Sequence, residues 1–315
     1  MITEAKAVVF EQPGVIAMRP VELAVPGDGD CVVDIEFSGV STGTERLLWD
    51  GRMPAFPGLG YPLVPGYESV GRVSQVTNGV SLIPGQRVFV PGSRGFTDVN
   101  GLFGGASSRL VVAANRLIPI DDALGEEGTL LALAATALHA LGRYGESRLP
   151  ELVVGHGVLG RLMARLLLAL GQREVVVWES SAPRREGSQG YTVIDPADDP
   201  RTDYDLICDV SGDTTLLDSL IARLRAGGAV LLAGFYNDPL SFAFPPAFMR
   251  EIQLTVAAEW QPADLARVKT LISEERLSLA GLISHRASPS AAEQAYRTAF
   301  SDPDCLKMIL DWSSH

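Results

Sequence analysis

The apolar positions of this chain change rhythm along its length. From Ala7 to Val90 they fall in short runs and alternations punctuated by Pro and Gly, and the spacing predicts strands at Ala7–Phe10, Cys31–Ser38, Gly66–Val76 and Arg87–Val90. From Val153 to Ala257, compact apolar runs alternate with helical patterns. Strands are predicted there at Val175–Trp178, Thr192–Ile194, Asp205–Val210, Ala229–Ala233 and Leu254–Ala257, with a helix over Arg161–Leu170. Such alternation is the βαβ signature of a parallel sheet covered on both faces. The last stretch carries an amphipathic segment, Pro262–Ser273, and an apolar strand, Met308–Leu310. The chain therefore divides into a β-rich front over 1–122, a doubly wound α/β unit over 123–257, and a tail over 258–315 that returns to the front. The cleft between two such domains is the expected place for catalysis.

The second region opens on Leu152-Val153-Val154-Gly155-His156-Gly157-Val158-Leu159-Gly160, an apolar strand running into Gly-x-Gly-x-x-Gly ahead of a helix. A second strand ends at Glu179, 24 residues after Gly155, close to the roughly 20 expected of a dinucleotide site. Gly155 allows the tight turn, Gly157 lets the backbone approach a pyrophosphate, and Gly160 lets helix and strand pack closely. Val158 and Leu159 offer first-turn N–H groups at the positive end of the helix dipole. Glu179 accepts from the ribose hydroxyls and repels a 2′-phosphate, which favours NAD. Arg184 and Arg185 act in the opposite sense, because a guanidinium pairs with that phosphate. His156 fills a variable slot of the fingerprint and is expected only to tolerate the phosphates nearby.

Composition narrows the choices. The chain has 315 residues, 46% hydrophobic and 20% charged, with a net charge of −12. An acidic chain lacks the basic face that nucleic acid requires. The three cysteines, Cys31, Cys208 and Cys305, are far apart and form neither a zinc ribbon nor a disulfide framework. The first residues do not read as a secretory signal, and no apolar run reaches the ~20 residues of a membrane span. A cytoplasmic protein is expected. His139, in a helical stretch, and His285 are expected to be structural, and His315 to be disordered at the terminus.

Further motifs carry a family resemblance. Gly66-Tyr67-Glu68-Ser69-Val70-Gly71 resembles the Gly-His-Glu-x-x-Gly motif of medium-chain alcohol dehydrogenases, and Pro84-Gly85-Gln86-Arg87-Val88 their Gly-Asp-Arg-Val turn. Gly104-Gly105-Ala106, Thr136-Ala137, Ile283-Ser284-His285 and Lys307-Met308-Ile309-Leu310 are similar to further family segments in the same order. The resemblance implies a GroES-like β-barrel domain joined to a Rossmann domain, and a homodimer. The stretch from Ser41 to Glu68 is similar to members that act on tetrapyrroles. It implies NAD-dependent oxidation of the hydroxyethyl side chain of a bacteriochlorophyllide to an acetyl group.

The departures from the family bear on mechanism. Zinc-bearing members hold the metal with Cys, His and Cys, and the metal lowers the pKa of a bound alcohol. Here those positions fall at Ser41 or Thr42, at Tyr67, and among the apolar residues 131–133. No catalytic zinc is therefore expected, and Glu68 is expected to support the fold. A proton must still leave the alcohol, and the candidates are Thr42, Glu45 and Tyr67, with Thr44 beside them. Tyrosine, with a pKa of about 10, is a poor base unless a cation lowers it. Tyr67 is open to a second reading as an aromatic filling the lost metal site, and Ser41 and Thr42 as turn residues. The segment Trp49–Tyr61, rich in aromatic and stiff residues, is a candidate wall for a flat macrocycle through Trp49 and Phe56. Arg46, Arg52 and Arg94 are candidates for its propionate. Two other functions fit the same motifs: an NADPH-dependent quinone or enoyl reductase, and a non-catalytic nucleotide-binding subunit.

Overall fold

A computed structural model describes residues 4–55 and 57–313. The chain starts with an antiparallel hairpin, β1 (Glu4–Gln12) and β2 (Val15–Glu22), followed by the long strand β3 (Asp30–Val40). A short helix, α1 (Thr44–Asp50), comes next and stops at Gly51, whose φ of 68° satisfies a left-handed cap. The strands β4 (Leu63–Val64), β5 (Ser69–Val76), β6 (Arg87–Val90), β7 (Asn100–Gly101), β8 (Arg109–Ala113) and β9 (Ile118–Pro119) complete the front. The helix α2 (Leu131–Leu141) then leads into the α/β region.

That region carries β10 (Leu152–Val154), α3 (Val158–Ala169), β11 (Val176–Trp178), β12 (Thr192–Ile194), β13 (Tyr204–Asp209), α4 (Leu217–Arg223), β14 (Leu224–Leu232), α5 (Phe244–Arg250), β15 (Gln253–Val256) and α6 (Pro262–Ser273). The chain ends with β16 (His285–Ala287), α7 (Ala292–Ser301) and β17 (Met308–Asp311).

Two compact units result, Met1–Ala132 with Ile283–His315, and Leu133–Leu282. The return to the first unit thus falls at Ile283 rather than at 258. The reason lies in α6, which buries Leu265, Val268 and Leu271, and whose Asp264 meets His139 of α2 at 2.9 Å. The next segment is held as well, because Arg165 of α3 donates to the carbonyls of Ser278 and Ala280. The first boundary moves from 122 to 132 because the turns over Asp122–Leu130 pack on β3, β5 and β6.

The first unit is built on a four-stranded sheet, β2-β1-β4-β7, and a seven-stranded sheet that runs β16-β17-β3-β5-β6-β9, with β8 also paired to β3. Alternation along β1 and β3 turns Val8, Phe10, Cys31, Val33 and Ile35 into one core. Met308 and Leu310 of β17 and Tyr296 of α7 complete that core.

The second unit is a six-stranded parallel sheet in the order β12-β11-β10-β13-β14-β15. Counted from β10, this is the 3-2-1-4-5-6 order of a Rossmann sheet, whose direction of winding reverses between β10 and β13. A ligand of such a sheet binds beyond the carboxyl ends of the strands at that reversal. Val154 ends β10 there and Asp209 ends β13.

Candidate active site

The glycine turn of the second unit leaves β10 at the reversal point. Gly155 adopts φ 104°, a region that side chains disfavour, and any Cβ on it would press on Ser211 at 3.2 Å. A Cβ on Gly160 would overlap the Gly155 carbonyl oxygen, so α3 starts closer to the strand than any larger residue permits. Gly157 differs. It caps α3 with φ −70° and ψ −174°, open to any residue, and a Cβ there meets nothing within 4 Å. Neither backbone nor packing asks for glycine at 157. A glycine in such a place leaves the main chain open to close approach. Helix α3, twelve residues long, starts at Val158, so the N–H groups of Val158 and Leu159 lie in its first turn.

Glu179 stands just past β11. Its carboxylate accepts from the Ser181 N–H at 2.8 Å and from the His156 N–H at 3.2 Å, which ties the acid to the glycine turn. Arg185, a candidate for a 2′-phosphate, donates instead to Asp195 at 2.8 Å and to the carbonyls of Glu179 and Ser180. Arg184 lies partly buried, with its carbonyl accepting from the His156 ring at 2.6 Å. His156 is fully buried, so it does more than tolerate its surroundings.

In the first unit, α1, the turn before it and the turn after Gly66 bring three hydroxyl side chains together. The Ser41 and Tyr67 hydroxyls lie 2.5 Å apart, and the Tyr67 hydroxyl donates to Thr44 Oγ1 at 3.3 Å. Phe103 packs edge-on against the Tyr67 ring. Desolvation, and after it the charge of Glu68, hold the Tyr67 phenol well above the usual tyrosine range, and Glu45 adds to the rise. The hydrogen bonds with Ser41 and Thr44 act the other way without offsetting the rise, so Tyr67 stays protonated.

Glu45 is entirely buried. Its Oε1 accepts from the Ser41 N–H at 2.9 Å and its Oε2 from the Tyr296 hydroxyl at 2.8 Å. Burial pushes its pKa up to about 7, against the lowering effect of those two hydrogen bonds. Thr42 is partly exposed and makes no side-chain hydrogen bond among the described residues. Glu68 and Lys307, both buried, form an ion pair. Tyr296 and Lys307 come from the returning segment, 251 residues from Glu45 and 239 from Glu68 respectively; the segment Lys307–Leu310 is marked in the sequence, but nothing there links either residue to its partner.

The proposed macrocycle wall divides. Trp49 sits in α1 with its ring against Phe10 and Phe300 and the Arg297 guanidinium over it. Met53, Leu59 and Tyr61 likewise pack on the core of the first unit. Arg46 and Arg52 are exposed and share Asp50, and Arg94 is exposed. Phe56 and His315 lie outside the described residues. His285 meets Ser284 at 2.9 Å.

Ser41 and Tyr67 offer neutral hydroxyls, the stretch 131–133 offers only apolar side chains, and Glu68 is taken by Lys307. This set does not match the N and S ligands of tetrahedral zinc. Among the described residues no group of three His, Cys, Asp or Glu side chains is placed to hold a metal ion. No helix among them is long and apolar enough to cross a membrane.

Comparison with known proteins adds an independent observation. Residues 27–122 match the alcohol dehydrogenase GroES-like domain. The chain is 56% identical, over 98% of its length and 98% of the relative's, to 2-desacetyl-2-hydroxyethyl bacteriochlorophyllide A dehydrogenase of Rhodobacter capsulatus. It is 55% identical to the protein of the same description from Cereibacter sphaeroides, over 97% of this chain and 98% of the other. Among solved structures, the fold resembles 2R,3R-butanediol dehydrogenase from Bacillus subtilis with a TM-score of 0.84, at 20% identity, over 98% of this chain and 99% of that one.

Proposed function

The chain belongs to the medium-chain dehydrogenase family, and from that premise we propose that it oxidises the hydroxyethyl side chain of a bacteriochlorophyllide to an acetyl group, with NAD⁺ and without zinc. The observation that carries the substrate is the 56% identity, over nearly the whole chain, to an enzyme named for it. Bound NAD⁺ supplies the hydride acceptor. The turn Gly155–Gly160, with the Val158 and Leu159 N–H groups, is proposed to hold its pyrophosphate, and Glu179 its ribose. Preference for NAD⁺ over NADP⁺ rests on the Glu179 carboxylate and on the engagement of Arg185 with Asp195.

The proton of the alcohol is left to the first unit. A phenol that stays neutral takes up a proton only as it gives one away. Tyr67 is suited to that by having hydroxyls on both sides, Ser41 and Thr44. We assign Tyr67 contact with the alcohol oxygen, and Thr44 and Thr42 the passage to solvent. Glu45 is assigned a positioning role, because its carboxylate grips the Ser41 N–H and not a hydroxyl of the relay. The segment from Trp49 to Tyr61 is the proposed wall for the macrocycle. Arg46 and Arg52 would meet the propionate, and Trp49 would anchor the segment to the core.

A homodimer is proposed through β15. This strand is the open edge of the parallel sheet, and Val256 on it and Phe244, Phe248 and Met249 on neighbouring α5 are all exposed.

The decisive experiment is turnover of the hydroxyethyl pigment with NAD⁺ by the wild type and Tyr67→Phe. Removal of one positioned proton-transfer group is expected to lower kcat about 10²-fold and to leave the KM for NAD⁺ unchanged. Turnover of a quinone with NADPH, or tight NAD⁺ binding with no turnover of the alcohol, would overturn the assignment.

A further inference from the structure

Behind the glycine turn lies a buried hydrogen-bonded chain that the reaction does not use. His156 is 0% exposed although it occupies the second position of the fingerprint. Its Nδ1 lies 2.6 Å from the Arg184 carbonyl oxygen and its Nε2 2.9 Å from the Tyr191 hydroxyl. A carbonyl only accepts, so Nδ1 carries the hydrogen and Nε2 accepts from Tyr191. The far end of the chain agrees, since the cation that acts on the Tyr191 hydroxyl, the Arg165 guanidinium, can only donate. Donation thus runs in one direction, from Tyr191 through His156 to the Arg184 carbonyl.

A second cation grips the same loop. The Arg161 guanidinium of α3, 9% exposed, donates to the carbonyls of His156, Arg184, Glu186 and Gly187 at 2.7–3.2 Å. Gly187 has φ 80°, and a Cβ on it would come within 2.5 Å of Arg161 Nη1, so glycine admits the clamp. The segment so held, 184–187, includes Arg184, the residue placed to favour a 2′-phosphate. The His156 N–H also orients the Glu179 carboxylate, which disfavours one.

We infer that His156 is the specificity-determining positioning residue of the dinucleotide site, fixing through its ring the loop of Arg184 and through its N–H the carboxylate of Glu179, so that NAD⁺ is preferred over NADP⁺. This rests on the reading of Gly155–Gly160 as the dinucleotide site. Release of the ring leaves the Arg184 carbonyl only its Arg161 hydrogen bond and lets the loop shift, and the main-chain N–H at 156 loses the fixed setting in which it meets Glu179.

Three variants test it. Gln at 156 cannot put a donor where Nδ1 stands, whereas the amide nitrogen of Asn can. His156→Gln is expected to raise the KM for NAD⁺ about fivefold, the effect of one net hydrogen bond, and to lower the NAD⁺/NADP⁺ ratio of kcat/KM by a similar factor. The KM for the pigment alcohol should not move. His156→Asn should stay within about twofold of the wild type in both, and Tyr191→Phe, which leaves the ring in place but removes its partner, should shift the ratio in the same direction as Gln. An unchanged cofactor ratio in both His156→Gln and Tyr191→Phe, or an equal loss in Asn and Gln, overturns the inference while leaving the site reading intact. If His156→Gln does not fold, Tyr191→Phe alone decides by the same ratio. Failure of wild-type protein to bind either dinucleotide in a fluorescence titration overturns the site reading itself and the inference with it.

Discussion

The glycine turn of the second unit and the hydroxyl cluster of the first are built on opposite terms. The turn is made of main chain. Gly155, Gly157 and Gly160 fall within one short stretch of sequence, and what they contribute is an absence of side chain. The cluster is made of side chains from remote segments. Ser41 and Glu45 enter from α1 and the turn before it, Tyr67 and Glu68 from the approach to β5, and Tyr296 and Lys307 from the returning tail. A site of the first kind is local and its charge is supplied by dipoles. A site of the second kind requires the whole unit to fold before any of it exists, and it keeps ionisable groups out of water. The two should therefore fail differently when damaged.

The largest difference is expected at Lys307. Removing one member of a buried ion pair leaves the other charge uncompensated and costs about 3–5 kcal/mol. Lys307→Met should destabilise the first unit by about that much in a denaturant titration. The double variant Glu68→Leu/Lys307→Met should return to within about 1 kcal/mol of the wild type, because a well-packed apolar pair replaces a buried ionic one at little net loss. A mild single variant, below about 1 kcal/mol, would show that the pair is not the buried one described, and the contrast between the units would weaken.

The next contrast is the response to acid. Burial raises Glu45 to about 7 and lowers His156 to about 4. Folded protein holds the Glu45 proton more tightly than unfolded chain, so this stabilisation is complete below about pH 4.5 and is lost as pH rises to about 7. At about 1.4 kcal/mol for each pH unit the loss approaches about 3 kcal/mol. His156 has the opposite sign. Its neutral form is favoured by folding, so its contribution is present above about pH 6.5 and is lost as pH falls towards 4. The groups that face Glu45 are Ser41 N–H, Tyr296, Glu68 and Lys307; those that face His156 are Tyr191, Arg161, Arg165 and Glu179. Denaturant titrations at pH 4.5 and 7.5 check this. The stability of the wild type relative to Glu45→Gln should fall between the two, and relative to His156→Asn it should rise. Parallel curves in the first pair would mean that Glu45 titrates as an exposed acid.

The same contrast governs what was legible in the sequence. β6 and β12 and helix α6 fall where the apolar spacing puts them, and the parallel sheet follows from its runs. Helix α3 begins at Val158, three residues before the predicted start, because its first turn is the fingerprint itself. Strand β5 starts at Ser69, not Gly66, since the chain is still turning there. Short helices such as α1 and α5 hold too few turns to show a period, and β2 mixes polar and apolar residues without a continuous apolar side. The place of Glu179 beside the glycine turn was legible because its distance from Gly155 along the chain is fixed by one βαβ unit. Tyr296 and Lys307 were not, because only the antiparallel pairing of β17 with β3 brings their segment to Glu45 and Glu68. His156 was read as passive because a fingerprint describes only what its glycines do, and a buried ring behind it leaves no mark on the spacing.

The smallest expected effect is the sharpest test of the main-chain site, and it falls on Gly157. Replacement of Gly155 or Gly160 would damage folding and binding together, since each meets its own protein at contact distance. Gly157 separates the two. Its backbone angles suit any residue and its Cβ direction is open, so Gly157→Ala should leave the melting temperature unchanged or slightly higher, as the unfolded chain loses freedom. A methyl group there would stand where the main chain must approach the pyrophosphate. The KM for NAD⁺ is expected to rise about tenfold, close to 1.4 kcal/mol, while the pH response carried by Glu45 stays as in the wild type. Thermal melting and initial rates on one preparation measure both. Loss of stability without loss of affinity would mean that glycine is kept at 157 for the fold, and the argument that a ligand accounts for it would be lost.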